Sequence, residues 1–194
     1  MQLYKYKNYD EYKKIQEEGN IQKIKCCWVL ENNIKLLSEY LKKHVKDIKF
    51  GLCHGTRRGK EQEWFKKYLN IKDLKIVGTE ISKTATQFTD TIQWDFNDVK
   101  EEWINNADFI YSNSWDHSYK PIECLDSWMS CVKKSGVCLI EWTPSYIPVC
   151  ALDPFGATQE EYEEIITKKY EIKDRIEGHG HKEMCIYFVI SHKL

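Results

Sequence analysis

The chain has no apolar run near the roughly 20 residues needed to cross a bilayer. Its opening stretch, MQLYKYKNYDEYKK, lacks the apolar core of a secretory signal. A cytoplasmic protein with no membrane partner is expected. Charge of one sign is missing too: 29 basic against 30 acidic residues leave a formal net charge of −1. No global field therefore draws the protein to nucleic acid or to an anionic surface. The basic pairs at 57–58, 66–67, 133–134 and 168–169 are scattered among acids, which reads as solvated helix faces rather than a binding stripe. Proline and glycine are scarce, 4 and 9 among 194 residues, which excludes a low-complexity or linker-rich chain. The eight cysteines never form a C-x-x-C pair, and adjacent Cys26 and Cys27 cannot readily bridge each other. This excludes the close-set ligand pairs of a zinc site. Most of the cysteines stand in apolar segments, as reduced buried thiols do.

The length, 194 residues, suits one α/β domain. Residues 1–47 read as a helical cover: YDEYKKIQEE has the texture of an exposed helix, and VLENNIKLLSEYLKKH puts Leu30, Ile34, Leu37 and Leu41 on one face. From residue 48 to 194 the pattern changes. Apolar runs at 48–53, 74–81, 91–94, 107–113 and 136–142 alternate with helical stretches at 58–69, about 82–88, 97–105 and 119–134. That cadence predicts a parallel sheet with right-handed crossovers, buried on both faces. After a loop holding Pro144, Pro148 and Pro154 comes a helix, TQEEYEEIITKKY, with Thr158 as cap and Glu161 three residues on. The last segment, EIKDRIEGHGHKEMCIYFVIS, reads as two antiparallel strands joined by GHGH, where His179 and His181 mark a turn.

Ligands of open parallel sheets sit beyond the carboxyl ends of the strands. After the first strand comes CHGTRRG, where Gly55 and Gly59 let backbone approach a ligand and expose amide groups at a helix N-terminus. Glu80 ends the second strand, twenty-one positions beyond Gly59, and is placed to accept hydrogen bonds from ribose hydroxyls. After the third strand, Asp95 in WDFND is placed to accept from an exocyclic amine. SNSWDHSY follows the fourth strand and EWTPSY the fifth. Each has a plainer reading: a turn for the glycines, a solvated strand end for Glu80, a helix cap for Asp95 with Asp98. Ordered together at consecutive strand ends, they point to a nucleoside-bearing cofactor.

The strand order, the GxxxG turn, the acid after strand two and the DF after strand three resemble class I S-adenosylmethionine-dependent methyltransferases, over residues from about 48 to 194. The block ADFIYSNSWDHSY…CLDSWMSCVKKSGVCLIEW is similar to the family's fourth strand, helix and fifth strand. The resemblance implies a Rossmann-like three-layer sandwich: a mostly parallel seven-stranded sheet, a C-terminal antiparallel hairpin and N-terminal helices, with 48–194 as catalytic core. It implies S-adenosylmethionine as cofactor. The turn of Cys53, His54, Gly55, Thr56, Arg57 and Gly59 would hold the methionine part, Glu80 and Ile81 the ribose, Asp95 and Phe96 the adenine, with Ser112 and Asn113 completing the site. Two positions depart from the family's pattern. Cys53 stands where an acid is usual and Arg57 where the middle glycine is usual, so the methionine ammonium loses an expected carboxylate.

Methyl transfer from a sulfonium is an in-line displacement, which asks the protein mainly to align the partners and exclude water. A hydroxyl acceptor also needs a base or a metal. Asp116 and His117 are the catalytic candidates: His117 as base, with Asp116 orienting it or holding a divalent metal. The plainer reading of His117 is a polar loop residue. Glu141, a further base or ligand, joins Trp115, Tyr119, Trp142 and Tyr146, with Trp94, as candidate acceptor contacts. Flat amphipathic rings receive the C–H face of a sugar, although they also fill cores. The expected acceptor is a small molecule, a saccharide hydroxyl first, and no nucleic-acid partner is expected. Two alternatives remain: an RNA or protein methyltransferase, which a basic surface around the cleft would mark, and a catalytically silent cofactor-binding module.

Overall fold

A computed structural model describes residues 1–180 and 183–193; His181 of the expected GHGH turn lies outside the described residues. In chain order the elements are β1 (Gln2–Leu3), α1 (Tyr9–Gln22), α2 (Glu31–His44), β2 (Phe50–His54), α3 (Lys60–Leu69), β3 (Lys75–Glu80), β4 (Thr91–Gln93) and β5 (Ala107–Ser112). Then follow α4 (Pro121–Cys131), β6 (Val132–Trp142), β7 (Phe155–Gly156), α5 (Gln159–Lys169), β8 (Tyr170–His179) and β9 (Met184–His192).

Seven strands form one sheet in the order β4-β3-β2-β5-β6-β9-β8. The pairs from β4 through β6 are parallel, and β9 runs antiparallel between β6 and β8. The expected mostly parallel sheet with a C-terminal hairpin is what the chain builds. Successive strand residues point to opposite faces. Leu52, Ile110, Ile140 and Phe188 pack against Leu125, Trp128 and Met129 of α4 and Ile166 of α5. Cys53, Tyr111, Leu139 and Val189 pack against Ile34, Leu37 and Leu41 of α2 and Phe65 of α3. The chain leaves central β2 toward β3 and β4, then returns to its other side as β5. This reversal opens a crevice at the carboxyl ends of β2 and β5.

Several local expectations are corrected. The stretches 82–88 and 97–105 are not α-helices but short 3-10 turns at Lys83–Gln87 and Glu101–Trp103. Trp103, with partly buried Val99, packs against the core from this stretch, and Asn105 at φ +49 ends the turn. The helix expected at 119–134 spans only Pro121–Cys131, starting on the proline, whose fixed φ suits a first turn. Lys133 already belongs to β6, where its Nζ pairs with buried Asp108 at 2.7 Å. The Thr158 cap forms as a full capping box with Glu161. The ribbon of β1 against β7 has no sequence signal, because two residues carry no period. Of the N-terminal helices, α2 covers the sheet, whereas α1 lies at the crevice, burying Tyr12, Gln16 and Gly19. Among the described residues no helix is long and apolar enough to cross a membrane.

Trp115, expected at the acceptor rim, is fully buried, edge-on to Tyr162 at 4.6 Å and Phe155 at 5.1 Å, with its Nε1–H donating to the Pro121 carbonyl at 2.9 Å. Trp115→Ala should therefore cost about 3–5 kcal/mol of stability in urea unfolding, with an unchanged denaturant slope. A loss below about 1 kcal/mol would return Trp115 to the surface.

Candidate functional site

The turn after β2 sets the geometry. Gly55 and Gly59 adopt φ +75 and +70, and the amides of Gly55 and Thr56 both donate to the Thr79 carbonyl at 3.0 Å, pinning the turn to β3. A Cβ on Gly55 would stand 2.7 Å from the Ser114 side chain, so the turn and the loop after β5 approach too closely for any other residue. Arg57, between the two glycines, also has positive φ, +34, which costs an L-residue roughly 1–2 kcal/mol. Its Nε–H donates to Asn20 Oδ1 at 3.1 Å.

A cleft of about 540 Å³ opens above this turn, within the size range of small-molecule sites. The turn contributes Gly55, Thr56 and Arg57, α3 contributes Glu61, and the loop after β5 contributes Asn113, Ser114, Asp116 and His117. Glu141 and Tyr146 come from the end of β6 and the segment beyond it, and Asp153 and Glu183 complete the acidic rim. Beside it a crevice of only about 30 Å³, room for a water, is bounded by Glu80, Ile81, Asp95 and Phe96 and covered by Tyr12 and Gln16 of α1. Asp95 is already engaged there by the Tyr9 hydroxyl and by the backbone and side-chain N–H groups of Asn97, at 2.9 and 2.7 Å. The helix itself is tied down by Tyr12 Oη to the His117 carbonyl at 3.1 Å and Gln16 Nε2 to the Leu152 carbonyl at 3.0 Å. With α1 in this position the crevice beside Glu80 and Asp95 is too small for a nucleoside.

Other expected residues point elsewhere. The side chain of Cys53 is fully buried toward α3. His54 faces α4, stacked on Trp128 at 5.1 Å with Nδ1 2.9 Å from Thr79 Oγ1, and burial holds its pKa down to about 3. Gly59 packs under the β3–β4 turn, and buried Ser112 donates its hydroxyl to the His54 carbonyl at 3.2 Å. Trp142 is buried with its Nε1–H on the Ala157 carbonyl at 3.0 Å. Tyr119 joins Tyr6, Tyr9 and Tyr12 in a nest of rings beside α1, 5.1 Å from Tyr12. The side chains of Cys53, His54, Ser112 and Trp142 point inward because strand alternation places them there, and Tyr119 packs among the rings beside α1. Glu61, Trp28, Asp153 and Glu183 were not foreseen. Only Glu61 had a readable signal, an acid in the first turn of the helix that follows the glycine turn.

Three carboxyl groups in the cleft are held above their ordinary range. Burial pushes Glu61 up to about 8, opposed by Arg57. It pushes Glu141 up to about 7 against hydrogen bonds from Tyr187 and Tyr146, and Asp116 up to about 6 against His117. Glu61 Oε2 and Asp116 Oδ1 are buried without a hydrogen-bond partner. His117 Nδ1 sits 2.6 Å from the Leu152 carbonyl, which assigns the proton to Nδ1 and leaves Nε2 as an acceptor. That Nε2 faces Asp153 Oδ1 at 3.5 Å and Asp116 Oδ2 at 3.9 Å. Ligand atoms of the three residues lie within 4.8 Å of one another.

With a switch-point cleft on a seven-stranded sheet of this order, the chain has the fold of the class I S-adenosylmethionine-dependent methyltransferases. It is similar to magnesium protoporphyrin IX methyltransferase from Synechocystis PCC 6803, solved with bound S-adenosylmethionine, at TM-score 0.63 and 6% identity over 97% of this chain and 100% of that one. It is also similar to the plantazolicin methyltransferase in complex with S-adenosylhomocysteine, at TM-score 0.63 and 12% identity over 82% of each chain. A third neighbour is a methyltransferase from Aquifex aeolicus, at TM-score 0.57 and 13% identity over 84% of this chain and 98% of that one. No family model matches the sequence, and no curated protein matches it at a significant level.

The shifted groups make stability depend on pH. His54, depressed to about 3, takes up its proton more readily when unfolded, so stability rises with pH up to about 6.5. Glu61 and Glu141, raised to about 8 and about 7, hold protons in the folded state that the unfolded chain releases, so stability falls as pH rises toward 8. The melting temperature should therefore decline between about pH 6.5 and 8.5, and Glu61→Gln should flatten that decline. A melting temperature that rises across this window would contradict the burial of these acids.

Proposed function

We propose that the protein is an S-adenosylmethionine-dependent methyltransferase acting on a hydroxyl of a small-molecule acceptor. The carrying observation is the cleft of about 540 Å³, set between the glycine turn and the Asp116–His117–Asp153 cluster on a methyltransferase fold. The residues present fit the cofactor. The backbone of Gly55 lines the cleft, and unpartnered Glu61 Oε2 belongs to a cleft-lining side chain. Gly55, Thr56 and Arg57 would hold its amino-acid end, Glu80 its ribose, and Asp95 with Phe96 its adenine once α1 has moved. When bound, the cofactor supplies an electrophilic methyl group on a sulfonium centre.

The chain's own groups do the rest. His117 presents an unprotonated Nε2 to the cleft and takes the acceptor's proton there. Asp116 and Asp153, 3.9 and 3.5 Å away, stabilise the imidazolium that results. Glu141, held by the Tyr146 hydroxyl at 3.1 Å, accepts a hydrogen bond from the acceptor and orients it. The donor set of two carboxylates and one imidazole within 4.8 Å also fits a divalent cation, which would acidify the acceptor hydroxyl.

A saccharide is the first acceptor class to assay, since Asn113, Asp116 and Glu141 offer the amide and carboxylate partners that a polyol uses. Among the described residues Trp28, Tyr146 and His117 bring rings to the cleft, whereas Trp115 and Trp142 are core residues. Lys23, Arg57, Arg58 and Lys60 are interspersed in the lining with acidic Asp153 and Glu183 and with the buried carboxyls of Glu61, Asp116 and Glu141, so among the described residues the cleft wall is mixed rather than a continuous basic surface.

Calorimetry should detect S-adenosylhomocysteine, and Glu80→Ala should weaken it at least about tenfold, as loss of a charge-assisted bond does. His117→Ala should cut turnover roughly 10²–10⁴-fold with cofactor affinity nearly unchanged. Loss of activity on chelation, reproduced by Asp116→Asn, would assign the cluster to a metal instead. If His117→Ala and the chelated enzyme both keep full turnover, the oxygen-acceptor reading fails.

A further inference from the structure

Two departures in the turn leave the amino-acid end of the cofactor without its usual partners: Cys53 in place of an acid, and Arg57 in place of a glycine. The structure shows what stands there instead. Eight positions after Cys53, in the first turn of α3, Glu61 is only 6% exposed yet lines the cleft beside Gly55, Thr56 and Asn113, with Oε2 unpartnered. An unsatisfied buried carboxyl is costly and asks for a ligand. Cys53 and Glu61 are electrostatic neighbours: after burial, Glu61 is the group that pushes the Cys53 thiol up. A carboxyl group from the helix thus lies near the strand end that lacks one.

Arg57 enters the same cleft from the turn, held by Asn20 through Nε. Among the described residues it forms no ion pair, so Arg57 and Glu61 do not neutralise each other. Resting on the cofactor reading above, we propose that Glu61 and Arg57 form a clamp for a free α-amino-acid zwitterion, Glu61 taking the ammonium and Arg57 the carboxylate of the cofactor's methionine end. Planar guanidinium matches carboxylate geometry, and a buried carboxylate suits an ammonium.

The groups facing Glu61 set its charge. Glu141 from β6 and Glu80 from β3 favour its neutral form and Arg57 its anion, after burial, which leaves it protonated up to about 8. An arriving ammonium favours the anion, so binding should release a proton from Glu61 to solvent.

Calorimetry with S-adenosylhomocysteine and with 5′-methylthioadenosine, which lacks the amino-acid end, separates the possibilities. The wild-type protein should bind both. Glu61→Gln and Arg57→Gln should each weaken S-adenosylhomocysteine by about tenfold or more and leave methylthioadenosine within about twofold. Measured at about pH 7.5 in buffers of different ionisation heat, the wild type should release a proton on binding S-adenosylhomocysteine and Glu61→Gln should not. Unchanged S-adenosylhomocysteine affinity in a folded Glu61→Gln protein, or equal weakening of both ligands, overturns the clamp and leaves the cofactor reading standing. A wild type that binds neither ligand overturns both.

Discussion

The close approach of the turn at the carboxyl end of β2 to the Ser114 side chain governs the site. The chain must turn out of a buried central strand, pass within van der Waals reach of Ser114 on the neighbouring loop, and begin a helix five residues later. Only a residue without a Cβ fits at Gly55, and the shared Thr79 carbonyl locks the turn to β3. Everything useful follows from that lock. Arg57 is forced outward at positive φ, α3 starts at Gly59, and its first turn delivers Glu61 to the cleft.

That arrangement is costly. Glu61, Asp116 and Glu141 share one cleft and are each raised by burial, and two of them leave an oxygen unpaired. A fold optimised for stability alone would replace them with apolar groups. Strain at Arg57 adds to the same cost. Clusters of perturbed acids in a cleft are where chemistry and ligand recognition concentrate. Here they lie between the turn that would hold a cofactor and the histidine that would take a proton.

Helix α1 is attached mainly through polar contacts and tyrosine rings. It buries Tyr12, Gln16 and Gly19, and it is held by hydrogen bonds to the carbonyls of His117 and Leu152, by Tyr9 on Asp95, by Asn97 on Tyr12, by Arg57 on Asn20, and by a nest of tyrosine rings. Each such bond contributes about 0.5–1.5 kcal/mol net, far less than an apolar helix face would. The other N-terminal helix, α2, buries Ile34, Leu37 and Leu41 against the sheet and belongs to the fixed core. The two helices thus divide the work, one stabilising the domain and the other covering the crevice where Glu80 and Asp95 wait.

The strand cadence, the terminal hairpin and the glycine turn were legible in the sequence because each rests on local periodicity or on a backbone conformation that few residues adopt. Gly55, Glu80, Asp95, Asp116 and His117 could be named because strand ends are local features and ligands of such sheets gather there. Local pattern could not say which way a side chain would point once the layers closed. His54, Ser112, Trp115 and Trp142 sit next to cleft residues in the chain yet face inward, since alternation along a strand and the space between layers decide their direction. Nor could it bring Asp153 from a proline-bearing loop to within 3.5 Å of His117, or place α1 over Asp95. Those contacts join residues 36 and 86 positions apart, and only the packed tertiary structure closes such distances. The position of Glu61 belongs to the same class, since only the packed fold brings this helix carboxyl into the cleft beside Gly55 and Asn113.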